Sequence, residues 1–196
     1  MRIGILAVQG AFKEHANILE KLSVESFEIR KRQDIERDCD GIILPGGEST
    51  VMGKLIKELE IFDVLKEKIE NKIPVFGTCA GMILLASQIE DSKTVHFGTL
   101  PVIVKRNAYG RQLGSFRTEQ KMENIGVIPM EFIRAPYVKE VKDGVKVLAA
   151  VERHIVAVQY ENQLATAFHP ELTGNTSVHE YFLEIIKKRN KFINKI

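Results

Sequence analysis

Apolar runs and stretches of helical spacing alternate through the first half of the chain, and the two periods predict strands and helices in turn. The predicted strands cover residues 3–8, 24–30 and 40–45 and a segment from Ile73 to Cys79, and the predicted helices cover residues 11–22, 49–57, 62–70 and 82–87. Near-continuous apolar runs are typical of parallel strands covered on both faces. The alternation therefore predicts an α/β fold with a doubly wound, mostly parallel sheet, whose ligands lie at the carboxyl ends of the strands.

The second half of the chain has a different character, with short β-like runs separated by turn residues such as Asp143-Gly144 and Glu161-Asn162. These runs cover residues 102–104, 127–128, 145–151, 155–160 and 164–168. We expect them to form antiparallel strands that extend one side of the sheet. A helix over 177–190 closes the chain, and residues 1–196 are predicted to form a single domain.

Composition and charge narrow the classes of function. The net charge is +2, but five of the 28 basic residues lie in the last ten positions, and the rest of the chain carries −3. This balance argues against a nucleic-acid partner, and no apolar run is long enough for a membrane span. We expect a cytoplasmic protein. Cys39 and Cys79 lack the spacing of metal ligands or of a disulfide framework, so both are expected to be free thiols.

The segment Gly77–Gly81 has the G-x-C-x-G spacing of a nucleophile elbow between a strand and a helix. Glycines on both sides of Cys79 let the backbone bend sharply there. The N-terminus of the following helix favours a thiolate, and its free N–H groups can hold an oxyanion. Cys79 is therefore a candidate nucleophile, and a buried structural cysteine is the alternative.

A second loop, Pro45–Thr50, also follows a strand and opens a helix, so its backbone N–H groups can face an anion. A phosphate-binding loop fails here, because Glu48 stands where the motif needs glycine and Leu55 where it needs serine or threonine. A plain structural turn remains an alternative.

The third loop contains His169 and Glu171, which suit the roles of a base and of the acceptor that orients it. Pro170 keeps His169 extended, so the two side chains point the same way. A metal site would need a third ligand, and we expect no metal or cofactor. The remaining histidines are expected to be structural or solvent-facing: His15, His96, His154 and His179.

Arginines in Arg106–Arg111 and Phe132–Pro136 stand beside turn and strand-end signals. An arginine fork binds a carboxylate through two hydrogen bonds, so these residues can recognise an amino-acid substrate. Solvated or structural arginines are the alternative interpretation.

Taken together, these motifs resemble the PdxT family, the glutaminase subunit of pyridoxal 5′-phosphate synthase among the class I glutamine amidotransferases. The segments that carry the resemblance are Gly4–Phe12, Leu44–Thr50, Gly77–Gly81, Arg106-Asn107, Phe132–Pro136 and Phe168–Leu172. They span nearly the whole chain, and the fold implied is flavodoxin-like.

The resemblance implies that the chain hydrolyses L-glutamine to glutamate and ammonia through a thioester on Cys79, with His169 and Glu171 completing a triad. Ala80 and Gly47 would hold the oxyanion. The glutamine-binding residues implied are Gly47, Glu48, Ser49, Arg106, Ile133 and Arg134. The implied partner is a synthase subunit with a (β/α)₈ barrel, which receives the ammonia.

Two rival functions stay open from sequence alone. One is a glutaminase for another acceptor, of the imidazole-glycerol-phosphate synthase type, although the segment Ile133–Pro136 speaks against it. The other is a non-catalytic flavodoxin-like binding module, which the intact triad disfavours.

Overall fold

The computed structural model describes residues 1–106 and 115–193. The helices are α1 Phe12–Lys21, α2 Arg32–Ile35, α3 Ser49–Glu58, α4 Phe62–Glu70, α5 Ala80–Leu85 and α6 Ser177–Ile193, with a 3₁₀ turn at Pro170–Leu172. The strands are β1 Arg2–Leu6, β2 Glu25–Ile29, β3 Gly41–Leu44, β4 Val75–Thr78, β5 Ala86–Ile89, β6 Leu100–Lys105, β7 Ser115–Met122, β8 Gly126–Ile133, β9 Tyr137–Val141, β10 Lys146–Val151, β11 His154–Tyr160 and β12 Gln163–Thr166. Within the described ranges, no helix combines the length and apolar character needed to cross a membrane.

Five parallel strands form the half of the main sheet that carries the site. Their order is β2-β1-β3-β4-β12, and each neighbouring pair is parallel. This is the strand order of flavodoxin-like folds, so the predicted fold class is confirmed. All four residues of β3, of β4 and of β12 are buried, as expected for strands covered on both faces. The carboxyl ends of β1, β3, β4 and β12 lead into the loops of Gln9, Gly46, Cys79 and His169.

The sheet continues beyond β12 with strands that are mostly antiparallel. β11 pairs with β12, β9 with β11 and β6 with β9 in antiparallel fashion, and β5 at the edge is parallel to β6. Outside this path, β10 is antiparallel to residues 154–159 of β11. The predicted extension of one side of the sheet is therefore present. Strands β5, β7 and β9 and the short helix α2 were not predicted, because their sequences lack a clear apolar period.

Three expectations from the sequence are wrong in detail. The run at 164–168 is antiparallel to β11 but parallel to β4, because its second neighbour is a strand 88 residues earlier in the chain. The run at 127–128 lies in β8, which pairs with β7 in a separate two-stranded sheet. The helix expected over 82–87 spans Ala80–Leu85 and gives way directly to β5.

A ladder of aromatic rings connects the two-stranded sheet to the parallel sheet. Phe132 of β8 stacks on Phe116 of β7 with ring centroids 4.5 Å apart, and it packs 5.8 Å from Phe168 at the end of β12. The His169 N–H donates to the carbonyl of Glu131 at 2.8 Å. These contacts hold Ile133 and Arg134 at the same end of the sheet as His169.

Candidate active site

Cys79 sits at a sharp turn between β4 and α5. Its φ is 47° and its ψ is −99°, so the left-handed conformation belongs to the cysteine itself. The Cys79 N–H donates to the carbonyl of Thr166 at 2.8 Å, which ties the turn to β12. A non-glycine residue in this region of backbone space is strained, as is usual at nucleophile elbows.

The flanking glycines serve close packing rather than an unusual backbone conformation. A Cβ on Gly81 would lie 2.0 Å from the carbonyl oxygen of Leu44, and a Cβ on Gly77 would lie 2.7 Å from the backbone of Gly81. Both glycines have φ outside the left-handed region. The expectation that glycine freedom bends the elbow is thus corrected: the glycines let α5 lie directly on β3 and β4.

His169 and Glu171 meet immediately after β12. The imidazole Nδ1 donates to Glu171 Oε1 at 2.7 Å, and His169 and Cys79 line the same pocket. His169 is 6% exposed and Glu171 5%. Burial lowers the pKa of His169, but the interactions with Cys79 and Glu171 outweigh it and raise that pKa to about 10. The three side chains thus lie together at the carboxyl ends of the parallel strands.

A pocket of about 520 Å³ opens over Cys79 and His169. Its lining includes Gly47, Glu48, Ser49, Arg106, Ile133 and Arg134, the whole set named from the sequence for glutamine binding. Ala80 is the first residue of α5, directly after the nucleophile position, and it is buried. Residues 107–111 of the predicted arginine-rich loop lie outside the described residues.

The loop after β3 is held by hydrogen bonds from two sides. The Glu48 side chain caps α3 by accepting from the N–H groups of Thr50 at 3.1 Å and Val51 at 2.7 Å. Burial raises the pKa of Glu48, but these hydrogen bonds leave it below its usual value, so the carboxylate is charged. Arg106 donates to the Thr50 hydroxyl at 3.2 Å, which brings its guanidinium to the same rim.

Gln9, in the loop after β1, supports the loop of Gly47 and Glu48 through its side chain. Its Oε1 accepts from the Glu48 N–H at 2.8 Å, and a Cβ on Gly47 would lie 2.3 Å from the same oxygen. The side chain of Gln9 therefore occupies the space beside Gly47. A change in the position of Gln9 would change the position of this loop.

Sequence reasoning missed the residues that surround the far side of Glu171. His15 and His179 were expected to be structural or solvent-facing, and both are completely buried. His15 Nε2 lies 3.6 Å from Glu171 Oε2 and 3.2 Å from the Thr78 hydroxyl. The available signal was the position of His15, three residues after Phe12 and four before Leu19, on the apolar face of the predicted helix.

The other titratable groups named from the sequence are not in the lining of the pocket: His96, His154 and Cys39. The ring of His96 packs against Gly53 of α3, and that of His154 packs against Tyr137 with centroids 4.2 Å apart. Cys39 is half-buried, and burial raises the pKa of its thiol. In residues 1–106 and 115–193, no group of three His, Cys, Asp or Glu side chains is placed to hold a metal ion.

Comparison with known proteins identifies the family. Residues 5–188 match the sequence model of the SNO glutamine amidotransferase family. The chain belongs to this family. This family member is 54% identical over 186 residues to the pyridoxal 5′-phosphate synthase subunit PdxT of Desulfitobacterium hafniense (strain Y51), covering 95% of the chain and 94% of that relative. It is 51% identical over 194 residues to the PdxT subunit of Streptococcus pneumoniae (strain CGSP14), covering 97% and 100%.

The fold is shared with a solved structure as well. A crystal structure of a glutamine amidotransferase superposes with a TM-score of 0.90 at 41% identity, and the match covers 94% of this chain and 98% of the other. The turn at Cys79 and the loop His169–Glu171 therefore lie in a chain that resembles amidotransferases in fold as well as in sequence.

Proposed function

We propose that this chain is the glutaminase subunit of a pyridoxal 5′-phosphate synthase. It hydrolyses L-glutamine to L-glutamate and ammonia and delivers the ammonia to a barrel-shaped synthase subunit. The observation that carries the proposal is the hydrogen-bonded pair His169–Glu171 beside Cys79 at a pocket that Arg106 and Arg134 also line. Membership of the amidotransferase family and the names of its relatives support the same conclusion.

The reaction proceeds in two halves. His169 already holds the proton of the Cys79–His169 pair, because its pKa is raised to about 10, and Cys79 Sγ attacks the side-chain amide carbon of glutamine. The C–N bond then breaks, His169 protonates the leaving group, and ammonia departs from a γ-glutamyl thioester. In the second half, the now neutral His169 takes a proton from water and the hydroxide attacks the thioester. The C–S bond then breaks and the new carboxyl group of glutamate loses its proton to solvent, while His169 keeps the proton taken from water.

The remaining residues stabilise the charged groups of these steps, which are the imidazolium, the oxyanion and the α-carboxylate of glutamine. Glu171 orients the His169 ring and stabilises the imidazolium, which is present at rest and forms again in the second half. The N–H groups of Ala80 and of the Gly47 loop stabilise the tetrahedral oxyanion. Arg106 or Arg134 pairs with the α-carboxylate of glutamine.

The remaining glutamine contacts come from Glu48, Ser49 and Ile133, which line the same pocket. Residues 1–196 act as one glutaminase domain without a metal or cofactor, in the cytoplasm. A (β/α)₈ barrel typically takes about 250 residues, so the synthase chemistry belongs to another chain.

Docking of the synthase subunit controls the glutaminase through the Gln9-Gly10 turn. Ammonia released before the acceptor is in place is lost, so hydrolysis should wait for docking. Gln9 is suited to this role because it braces the loop of Gly47 and Glu48. We expect glutaminase turnover to rise at least tenfold when the synthase is added. Equal turnover with and without the synthase would exclude this control.

The proposal is tested by trapping the nucleophile in the complex with the synthase subunit. A glutamine-mimicking electrophile followed by mass spectrometry should label Cys79, and Cys79→Ala should lower ammonia release at least a thousandfold. Cys39→Ala is the matched control and should keep the parent rate, because Cys39 lies outside the pocket lining. Supplying glutamine, a pentose phosphate and a triose phosphate should yield the absorbance of pyridoxal phosphate. An unlabelled Cys79 in the active complex would favour the non-catalytic module, and ammonia release without pyridoxal phosphate would favour a glutaminase for another acceptor.

A further inference from the structure

A buried polar cluster lies behind the triad, on the side of Glu171 away from His169. It consists of His15 in α1, Thr78 in β4 and His179 in α6, which we call the histidine cluster. His15 Nδ1 lies 2.8 Å from His179 Nε2, and His15 Nε2 lies 3.2 Å from the Thr78 hydroxyl. All three residues have no exposed surface. The cluster joins three elements of the fold to the carboxylate that orients the triad.

The Glu171 carboxylate needs such a neighbour. Its side chain has no exposed surface, Oε1 accepts from His169, and Oε2 has no hydrogen-bond partner among the described residues. A buried carboxylate oxygen without a hydrogen-bond partner is costly and free to rotate, because its charge has lost its solvation. His15 Nε2, at 3.6 Å, is a ring nitrogen that faces this oxygen. This distance is longer than a hydrogen bond, so the contact between the two atoms is electrostatic. It is attractive only if His15 carries its proton on Nε2.

Two tautomers of His15 are possible while both rings are neutral. Burial lowers the pKa of His15, with His179 and His169 adding to the effect, and burial lowers the pKa of His179 to about 3. If His15 carries its proton on Nδ1, it donates to His179, and the Nδ1–H of His179 is then a buried donor without an acceptor in the described structure. The lone pair of His15 Nε2 would also face the negative oxygen of Glu171.

The other tautomer removes both costs. With the proton on Nε2, His15 directs an N–H at Thr78 and at Glu171 Oε2, and its Nδ1 accepts from the Nε2–H of His179. His179 Nδ1 then keeps only a lone pair without a partner. An unpaired buried acceptor is tolerated better than an unpaired buried donor. The Thr78 hydroxyl, which accepts from His15 in this tautomer, has no acceptor of its own among the described residues, so the two tautomers leave equal numbers of buried donors unpaired. Electrostatics at Glu171 Oε2 therefore selects the Nε2–H tautomer.

We propose that His15, hydrogen-bonded to His179, is a positioning residue of the active site that aims Nε2–H at Glu171 Oε2 and so holds Oε1 toward His169. This role rests on the proposed glutaminase function. The contacts run from one side chain to the next: His179 of α6 orients His15 of α1, His15 orients Glu171, and Glu171 orients His169 beside Cys79. The titratable groups that act on His15 are His179, Glu171 and His169.

A pair of substitutions at His15 separates this role from simple packing. His15→Gln keeps an N–H donor at the reach of Nε2, and His15→Met keeps the volume without a donor. In the complex with the synthase subunit, we expect His15→Met to lower kcat for glutamine hydrolysis by about 10- to 100-fold with KM unchanged. His15→Gln should stay within about threefold of the parent kcat. Equal losses in both variants, or parent activity in His15→Met, would overturn the proposal.

A spectroscopic test needs no activity, and its first part needs no variant. Nitrogen-15 spectra of the chain alone should show neutral His15 with its proton on Nε2 between pH 6 and 8. The proton of His169 Nδ1 should resonate far downfield in the parent and in His15→Gln and move upfield in His15→Met. An Nδ1–H tautomer of His15 would refute the assignment even if His15→Met failed to fold. If the parent complex hydrolyses no glutamine, the proposed function fails, while the tautomer result still decides the placement of the proton.

Discussion

The imidazole of His169 lies directly against the backbone of Gly46, the first glycine of the loop after β3. A methyl group added at Gly46 would sit 2.1 Å from His169 Cε1 and 2.7 Å from Nδ1. No real Cβ contact is that short, so either the ring or the loop would have to move. The position of the His169 ring therefore depends on the absence of a side chain at Gly46, at the end of β3.

We expect Gly46→Ala to lower kcat of the synthase-bound glutaminase by about 10- to 100-fold, because a displacement of about 1 Å in a catalytic group costs that much. The folded state should survive, since loops at the strand ends can shift. Gly53→Ala is the matched control: its Cβ would meet the ring of His96 at 2.2 Å, another histidine outside the triad, and kcat should change less than threefold. Similar losses in both variants would show that steric stress in general, and not the place of His169, lowers the rate.

The triad itself was predictable residue by residue. Glycine spacing around Cys79 and the placement of His169 and Glu171 after an apolar strand are local signals, and the structure brings the three side chains together. His15 was not predictable as a neighbour of Glu171. A histidine on the apolar face of a helix has the same local pattern whether it packs against a methyl group or a carboxylate.

The position of helix α5 depends on its close packing against the sheet. It spans only Ala80–Leu85, every one of its residues is buried, and it lies against β3 and β4 through Gly77 and Gly81. A six-residue helix has little stability of its own. Its position, and with it the Ala80 N–H and the Cys79 turn, is fixed by packing.

Gly81→Ala tests this contact. The new Cβ would lie 2.0 Å from the Leu44 carbonyl oxygen, a backbone atom that cannot swing aside, so we expect a loss of about 2–4 kcal/mol in the free energy of unfolding. Gly174→Ala is the control. Its φ is 76° but its Cβ would meet nothing within 4 Å, so the cost should be about 1 kcal/mol. Urea unfolding followed by circular dichroism measures both, and an equal cost at the two sites would argue against the close approach.

For the molecule as a whole, buried histidines make stability depend on pH at both ends of the range. His15 and His179 have lowered pKa values in the folded chain, so the unfolded chain binds more protons below about pH 6.5. Their contribution is complete above pH 6.5 and is lost as the pH falls below it. His169 behaves oppositely: its pKa is raised to about 10, so its contribution is complete below pH 6.5 and is lost as the pH rises toward 10.

We expect the free energy of unfolding to be highest near neutral pH and to fall by about 1.4 kcal/mol per pH unit for each of His15 and His179 between pH 6 and 5. Ordinary carboxyl groups titrate mainly below this window. His179→Phe removes one of the two groups, so the slope should fall by about half. Urea midpoints at pH 7.5, 6.0 and 5.0 decide the matter, and an unchanged slope in His179→Phe would contradict the assignment.

By itself the sequence determined most local elements of the first half, though not α2 or β5, and also the α/β class, the turn at Cys79 and the loop His169–Glu171. These depend on apolar period, glycine spacing and the backbone preference before proline, which act over a few residues. Only the tertiary structure decided that residues 163–166 run parallel to β4, that β7 and β8 form their own sheet, and that His15 and His179 stand behind Glu171. The physical reason is that strand partners and buried polar neighbours come from distant parts of the chain, and the choice among them is made by packing and by the pairing of buried groups.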